Sequence, residues 1–373
     1  MSAELLSLLS RPPSPAEERA AFDAFLLRHA QRYDFSSSEY SDIFRLLIRE
    51  RFLRSQQQPR DYTLRVLQCM RVLMRDPAHR SLFTELGGAD VLVRLFGDLA
   101  HEHQVNPHAE FTSEMLVETL SILKRFATLE TLCPTRNAAN AAELDAVSPA
   151  DALRLQRGLV ALLSTREALV LQCVLVAIQQ FVQLEPHLIA IGQLGCAEIL
   201  LRILTDYEPS FRALAAELLE TLLRARTFLK DVVLHDGAGA ILSAANTSDD
   251  SSVQLPLLRA LERLAAQPES ANEIRQIGGI HILIKLMESS RLTHQMACAI
   301  CAVLMELALD DEAALQIRKA NGVYALGKLL LHEPPMQQQQ QVDARASFVA
   351  PPKTDAAAAA AEPAAEPAAG AAP

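Results

Sequence analysis

Residues 277–287 read IGGIHILIKLM, in which a glycine pair is followed by an apolar stretch with helical spacing. Counted from Gly279, the apolar residues Leu283, Leu286 and Met287 fall at positions +4, +7 and +8. These positions share one face of an α-helix, because a turn contains about 3.6 residues. The stretch therefore predicts a helix that begins at a glycine and buries one apolar stripe. As a residue at a helix boundary, Gly279 is expected to have a positive φ.

The same glycine-led pattern occurs at five places along the chain. The copies are GADVLVRLF from Gly88, GCAEILLRIL from Gly195, GAGAILSAA from Gly237, GIHILIKLM from Gly279 and GVYALGKLL from Gly322. The last four glycines are 42, 42 and 43 residues apart, a period typical of helical solenoid repeats. Between Gly88 and Gly195, LRLQRGLVALL supplies a further helix with Leu155 near the position of the glycine. The pattern predicts a row of stacked helical repeats.

A longer apolar helix is predicted ahead of each glycine-led helix, with a short polar break between the two. The longer helices are predicted at residues 64–74, 115–127, 169–182, 211–223, 255–265 and 296–308. This order, with a helix of form G-x-x-x-L-x-x-L-L in each unit, resembles the armadillo repeat. The resemblance covers residues 62–332 and implies an all-α, armadillo-like α-solenoid, a right-handed superhelix of about six repeats. The recurring glycine favours armadillo over HEAT repeats.

Other segments flank and interrupt the repeats. The capping-box sequence SPAE from Ser14 predicts a helix that begins at Pro15, and SSSE from Ser36 predicts a second helix. The C-terminal sequence is rich in glutamine, alanine and proline, which predicts disorder. The predicted divisions are a helical N-terminal cap (1–60), armadillo-like repeats (61–333) with an insertion (129–150), and a disordered Gln/Ala/Pro-rich tail (334–373).

The amino-acid composition is typical of a helical protein and argues against a nucleic-acid partner. Of 373 residues, 50% are hydrophobic but only 5% are aromatic, whereas strands favour aromatic and β-branched residues. The 35 Lys and Arg against 45 Asp and Glu give a net charge of −10, which offers no broad basic footprint for nucleic acid. We find neither a secretory signal pattern nor a stretch of about eighteen apolar residues, so no membrane insertion is expected.

The cysteines are scattered without the spacing of a disulfide framework. They are Cys69, Cys133, Cys173, Cys196, Cys298 and Cys301. Such cysteines predict small buried thiols in a reducing compartment, and hence a cytoplasmic location.

Two glycine-containing stretches partly match nucleotide-binding motifs. GVYALGKL from Gly322 has the glycines and lysine of a phosphate loop but a leucine where the Mg²⁺ ligand belongs. GAG from Gly237 lacks the third glycine of the dinucleotide-binding fingerprint. Both stretches are interpreted as repeat helices.

Two groups of potential metal ligands also have simpler interpretations. Cys298 and Cys301 have C-x-x-C spacing, but they lie in a predicted helix with no second ligand pair, which indicates core packing. His101, His103 and His108 fall in a polar stretch that we predict to be a solvated loop. We therefore expect no enzymatic activity, no cofactor and no metal.

Basic residues recur on the glycine-led helices. Arg94, Lys285 and Lys328 lie at glycine +6, Arg202 lies one position further on, and Ser243 interrupts the series. Equivalent positions of successive repeats form a stripe in a solenoid, so this row could engage an acidic peptide. The alternative is that these are ordinary solvated positions whose aliphatic stems cover apolar surface.

In armadillo proteins that bind extended peptides, such as importin-α, an asparagine recurs on the concave helix and hydrogen-bonds the ligand backbone. By alignment, the corresponding positions of this chain are Arg71, Arg125, Gln180, Thr221, Arg263 and Glu306. The resemblance makes these six residues candidates for a partner-binding groove. Because none is asparagine, and only the Gln180 amide offers both a donor and an acceptor, we do not expect recognition of nuclear localisation signals.

The fold and the lack of a catalytic motif together suggest a functional class. We expect a non-enzymatic scaffold or adaptor with protein partners in a multi-subunit complex, and no nucleic-acid partner. Because neither the recurring asparagine nor a trafficking signal is present, we expect a structural subunit of a cytoskeletal or axonemal assembly in a cilium, similar to the armadillo members of radial spokes. The alternative is a soluble adaptor or transport receptor that binds extended peptides reversibly.

Overall fold

The computed structural model describes residues 2–12, 14–126, 132 and 148–331, and these residues form helices without any strand. The all-α prediction is confirmed. The helices are α1 (Ser2–Leu9), α2 (Pro15–His29), α3 (Ser38–Leu46), α4 (Arg60–Leu73), α5 (Pro77–Glu85), α6 (Gly88–Val105), α7 (Thr112–Leu123), α8 (Pro149–Leu162), α9 (Ala168–Phe181), α10 (Glu185–Gly192), α11 (Ala197–Asp206), α12 (Pro209–Leu222), α13 (Arg226–Leu234), α14 (Gly237–Thr247), α15 (Ser251–Ala265), α16 (Pro268–Gln276), α17 (Gly279–Met287), α18 (His294–Leu307), α19 (Asp311–Lys319) and α20 (Gly322–Leu331).

The chain divides into two compact units, residues 1–326 and 327–373. Within the second unit the structure describes residues 327–331, which form the C-terminal part of α20. The predicted tail (334–373), nearly all of the predicted insertion (129–150) and Cys133 lie outside the described residues.

The first unit is built from repeated sets of a long, a short and a glycine-led helix. In one such set, α12 is the long helix, α13 the short helix and α14 the glycine-led helix. The six predicted long helices are confirmed, with bounds that shift by a few residues. The predicted polar breaks are wrong in five repeats, where the chain between the long and the glycine-led helix forms the short helices α5, α10, α13, α16 and α19.

The long helices pack on one another in chain order. Contacts join α2 to α4, α4 to α7, α7 to α9, α9 to α12, α12 to α15 and α15 to α18. We call these seven helices the helix stack. Glycine-led helices also pack on their successors, as in the series α11, α14 and α17. Each module therefore contacts the next module in the chain, which is the arrangement of a solenoid.

The start of a glycine-led helix has two adjacent positions with different requirements: the N-cap residue before the helix and the first residue of the helix. The first position is left-handed: its φ is 72° at Gly278 and 48° at Asp236. The second position lacks room for a side chain, because a Cβ on Gly279 would lie 2.6 Å from both Ile274 Cγ2 and Leu242 Cδ2. The expected positive φ of Gly279 is thus wrong. Gly278 makes the turn, and Gly279 permits the close approach of two helices.

The backbone of α11 places its glycine one position earlier than the sequence alignment did. Gly195 has a φ of 68° and so occupies the left-handed position, which places Cys196 where other repeats have the second glycine. The left-handed residues then follow at 195, 236, 278 and 321, steps of 41, 42 and 43 residues. Leu155, the predicted counterpart of the glycine, lies inside α8 rather than at its beginning.

The N-terminal segment begins its helices as predicted but caps them differently. Helix α2 starts at Pro15 and α3 starts at Ser38. In the predicted capping box Glu17 would bond the Ser14 amide, but the Glu18 carboxylate accepts that N–H, at 3.3 Å. After α3, a π-helical turn (Leu47–Arg51) and a 3₁₀ segment (Phe52–Gln57) lead into α4.

Candidate partner-binding surface

Four of the predicted groove residues occupy one repeat position on the helix stack, four residues before the N-cap of the next short helix. They are Gln180, Thr221, Arg263 and Glu306. Gln180 and Arg263 are exposed and Glu306 is partly exposed. Thr221 is buried, and its hydroxyl donates to the Glu217 carbonyl at 3.0 Å, so this side chain is used within its own helix.

Arg71 does not occupy that repeat position. Four residues before the N-cap Asp76 stands Val72, which is buried. The alignment that selected Arg71 is therefore off by one residue. Arg71 instead bridges two helices of the stack, because its Nε on α4 donates to Glu118 Oε2 on α7 at 2.5 Å. Burial raises the pKa of the Glu118 carboxyl, and the nearby Arg71 acts in the opposite direction.

Arg125 does not occupy that repeat position either, because it lies two residues beyond the end of α7, whereas the other four residues lie within their helices. Its side chain is half-buried. Burial and the positive charges of Arg80, Arg71 and Arg75 lower the pKa of its guanidinium to about 10. We call these four residues, Arg71, Arg75, Arg80 and Arg125, the arginine cluster. The structure thus brings together two residues that the sequence predicted for a groove and two that it missed. Their places in the sequence could have indicated them, because Arg75 and Arg80 follow the end of α4 closely and Arg71 lies in its last turn.

The predicted basic row gains a consistent register from the corrected alignment of α11. Counted from Cys196, Arg202 lies at +6, the position that Arg94, Lys285 and Lys328 occupy in their own helices. All four side chains are exposed, and Ser243 still interrupts the series. Arg94 forms an ion pair with Asp90 one turn earlier in α6, so its charge is partly balanced within its own helix.

The histidine-containing stretch near residue 101 is not the predicted loop. His101 and His103 lie in the last turns of α6, and His103 is buried with its Nε2 2.9 Å from Thr165 Oγ1. His108 lies beyond the helix and is exposed. Among the described residues, no group of three or more His, Cys, Asp or Glu side chains is arranged to hold a metal ion.

The cysteine prediction is correct in part. Cys69 and Cys196 are buried, and burial raises the pKa of the Cys196 thiol to about 12. Core packing is wrong for Cys298, which is exposed on α18 with its Sγ 3.7 Å from His294 Nε2. Cys173 and Cys301 are partly exposed.

The two glycine near-matches to nucleotide motifs lie in repeat helices, as interpreted from the sequence. GVYALGKL belongs to α20, and GAG forms the first turn of α14. Across the described residues, no single helix combines the length and apolar character needed to cross a membrane. The pair Glu185–Gly192 and Ala197–Asp206, bent by 85°, meets that criterion together by length and composition.

Solved structures with a similar arrangement of helices include armadillo repeat proteins. A structure of the interaction between cadherin and beta-catenin, which a conserved phosphorylation switch controls, matches 90% of this chain and 57% of that chain at a TM-score of 0.69 and 15% identity. This chain has an armadillo-like fold. A computationally designed armadillo repeat protein for modular peptide recognition matches 68% of this armadillo-like chain and 99% of its own, at a TM-score of 0.50 and 15% identity. The fold expected from the armadillo resemblance is thus confirmed.

No family model matches the armadillo-like chain. Its curated relatives include the serine/threonine-protein kinase Nek10 of Mus musculus, which is 26% identical over 371 residues, covering 84% of this chain and 31% of the kinase. Nek10 of Homo sapiens is also 26% identical, over 369 residues, covering 84% of this chain and 29% of the kinase. The chain thus spans less than a third of the length of these relatives.

Proposed function

We propose that this protein is a non-enzymatic scaffold or adaptor that binds protein partners along the helix stack. The observation that carries the proposal is that seven long helices contact one another in chain order, so that a given repeat position recurs on neighbouring helices. At that position Gln180, Arg263 and Glu306 are accessible. A repeated, extended surface suits a partner segment that runs across several helices. A structural neighbour designed for modular peptide recognition supports this binding mode.

We further propose that the partner belongs to a larger cytoskeletal or axonemal assembly in the cytoplasm. Two large apolar side chains at the last helix of the stack support assembly with another subunit. Met305 is 68% exposed and Leu309, just beyond α18, is 83% exposed. Exposed apolar side chains near one another are typical of protein–protein contacts. Kinase activity is not part of the proposal, since the matched region is under a third of each kinase.

The scaffold function is tested by affinity purification of the tagged full chain from cells that express it, followed by mass spectrometry. Arg263→Glu reverses an exposed charge on the helix stack, and Arg318→Glu makes the matched change at an exposed position of α19. We expect Arg263→Glu to reduce partner recovery and Arg318→Glu to leave it unchanged. Equal recovery with both variants would show that partners bind elsewhere.

The assembly is tested separately by sizing the native protein in increasing salt. A structural subunit should remain in a large particle at a salt concentration that releases soluble adaptors. Release of a monomer that binds isolated extended peptides reversibly would favour the adaptor or transport receptor instead.

A further inference from the structure

Three members of the arginine cluster have contacts that explain their positions. Arg75 Nη1 donates to the carbonyl oxygens of Ala30 at 2.9 Å and Arg32 at 2.7 Å, just beyond the end of α2. Arg80 Nε donates to the Met74 carbonyl at 3.1 Å. Cationic donors at such sites satisfy the carbonyl groups left over at helix C-termini. With Arg71 bonded to Glu118, these three arginines hold helices together.

Arg125 is different from the other three. Its side chain forms no hydrogen bond or ion pair with any residue in the described ranges 2–12, 14–126, 132 and 148–331. It is half-buried, and three other guanidinium groups repel it. A guanidinium carries five N–H donors, and burial beside like charges is unfavourable without an anion. Toward the part of the chain that the structure describes, Arg125 therefore has unused donors and the charge of an anion-binding group.

The surroundings of Arg125 are fixed by contacts that do not involve it. The Arg71–Glu118 bond joins α4 to α7. The rings of Phe83 and Phe126 stack with centroids 5.3 Å apart, which joins α5 to the residue that follows Arg125. Among the described carboxylates, Glu118 alone forms an ion pair with a member of the cluster. The positive charges are consequently held in place before any ligand arrives.

We propose that the arginine cluster binds a phosphorylated serine or threonine in a peptide segment of the partner, with Arg125 as the main ligand. The inference rests on the proposed scaffold function and specifies the chemistry of its partner. The positive charges of Arg71, Arg75 and Arg80 all act on the half-buried Arg125, whereas their own N–H donors bond groups of the chain, so Arg125 is the group left to bind a concentrated negative charge. A phosphate carries nearly two negative charges and three acceptor oxygens, and it matches the planar fork of a guanidinium.

The test uses the full chain and three fluorescent peptide libraries with degenerate flanks and a fixed central phosphoserine, glutamate or serine. Binding is followed by anisotropy. We expect the phosphoserine library to bind about tenfold more tightly than the glutamate library. Arg125→Gln should weaken that binding about tenfold or more, the effect of removing a central charged contact. The matched control is Arg224→Gln, an exposed arginine just beyond the end of α12.

Equal binding of the glutamate and phosphoserine libraries would overturn the phosphate assignment, and unchanged binding by Arg125→Gln would overturn the site. A protein that captures its partner but no phosphoserine library also overturns this site and leaves the scaffold function intact. A protein that does neither overturns both.

Thermal stability gives a second readout that does not depend on the peptide. Because Arg125 is repelled by its neighbours, Arg125→Gln should raise the melting temperature by about 1–3 °C, while Arg224→Gln should not. A clear fall in the melting temperature would mean that a carboxylate of the same chain already pairs with Arg125, and that outcome contradicts the proposal.

Discussion

Besides their apolar cores, the N-terminal helices and the C-terminal repeats differ in one characteristic contact. In the N-terminal region one buried polar cluster joins several helices. Glu18 and Arg51 are each 1% exposed, with Arg51 Nη2 2.7 Å from Glu18 Oε1. The Tyr62 hydroxyl donates to Glu18 Oε2 at 2.5 Å. These directional bonds fix α2, the π-helical turn and α4 at a single point.

The Arg51 side chain extends this polar cluster to α1. Its Nη2 also donates to the carbonyl oxygens of Leu9 at 3.3 Å, at the end of that helix, and of Arg11 at 3.0 Å, just beyond it. Carbonyl groups at a helix C-terminus have no partner within the helix itself. The C-terminal repeats instead reuse one apolar contact. A Cβ on Gly237 would lie 2.4 Å from Val232 Cγ1, and one on Gly322 would lie 2.6 Å from Ile317 Cγ2.

One region of the chain thus depends on a single shared polar cluster, and the other on an apolar contact that recurs in each repeat. In the N-terminal region a single change can expose several bonded groups at once, because they share one polar cluster. In the repeats, the same kind of change affects one interface and leaves the equivalent interfaces intact. Substitutions in the two regions should therefore differ in size and in how far their effects spread.

The largest effect is expected from Glu18→Ala. The change leaves the Arg51 guanidinium buried without its counter-ion, which costs about 4 kcal/mol of unfolding free energy. Hydrogen exchange should show lost protection across residues 2–59 and little change beyond residue 195. The double variant Glu18→Leu with Arg51→Met should recover most of the loss, and a loss below about 1 kcal/mol in the single variant would contradict the role of the cluster.

Next in size is Gly279→Val in the repeats. The side chain would collide with Ile274 and Leu242, so we expect a loss of about 3 kcal/mol that is confined to the neighbouring repeats. The matched change is Gly278→Ala, where no atom lies within 4 Å of the added Cβ and only the φ of 72° is unfavourable. That variant should lose about 1 kcal/mol. Unfolding curves and local hydrogen exchange check both values, and equal losses would refute the separation of roles.

A smaller effect concerns pH and the N-terminal region. Burial, and then the bond to Glu18, raise the pKa of the Tyr62 hydroxyl above its usual value near 10. The unfolded chain loses this proton first, so its stabilising contribution is complete below pH 10 and decreases as the pH rises further. The loss is about 1.4 kcal/mol per pH unit until the folded group ionises. Tyr62→Phe should abolish this part of the decline in unfolding experiments between pH 10 and 11, whereas an unchanged slope would contradict it.

The smallest effect is a gain in the repeats. Asp236 occupies the left-handed position with a φ of 48°, where Gly278 stands in an equivalent repeat. Asp236→Gly removes the steric cost of a side chain in this conformation and should add about 0.5–1 kcal/mol. Asn321→Gly provides a comparison at the same position and should add less, because asparagine tolerates this conformation better. A fall in melting temperature for Asp236→Gly would show that its carboxylate stabilises the fold.

The helix pattern was predictable where the signal was local. The long helices and most glycine-led helices follow from apolar periodicity. The short helices were missed because sequences such as that of α16, PESANEIRQ, bury few residues and resemble polar breaks. Their helicity is stabilised by packing between two longer helices.

The arginine cluster was predictable only in part. Arg71 and Arg125 were selected by resemblance to the armadillo repeat, although Arg71 is one residue away from the intended position and Arg125 lies beyond the end of α7. Nothing in the sequence links Arg125 to Arg80, because their proximity depends on how α5 packs against the end of α7. The sequence placed each arginine on an element but gave no distance between elements.

By itself, the sequence determined that this chain forms helices, that the helices repeat about every 42 residues, and that a glycine stands near the start of several of them. These features depend on interactions within a few residues along the chain. Tertiary structure alone decided that Gly278 makes the turn while Gly279 permits packing, and that Arg71 meets Glu118 from 47 residues away. A shift of one residue rotates a helical side chain by about 100°, so such contacts are set only when the helices pack.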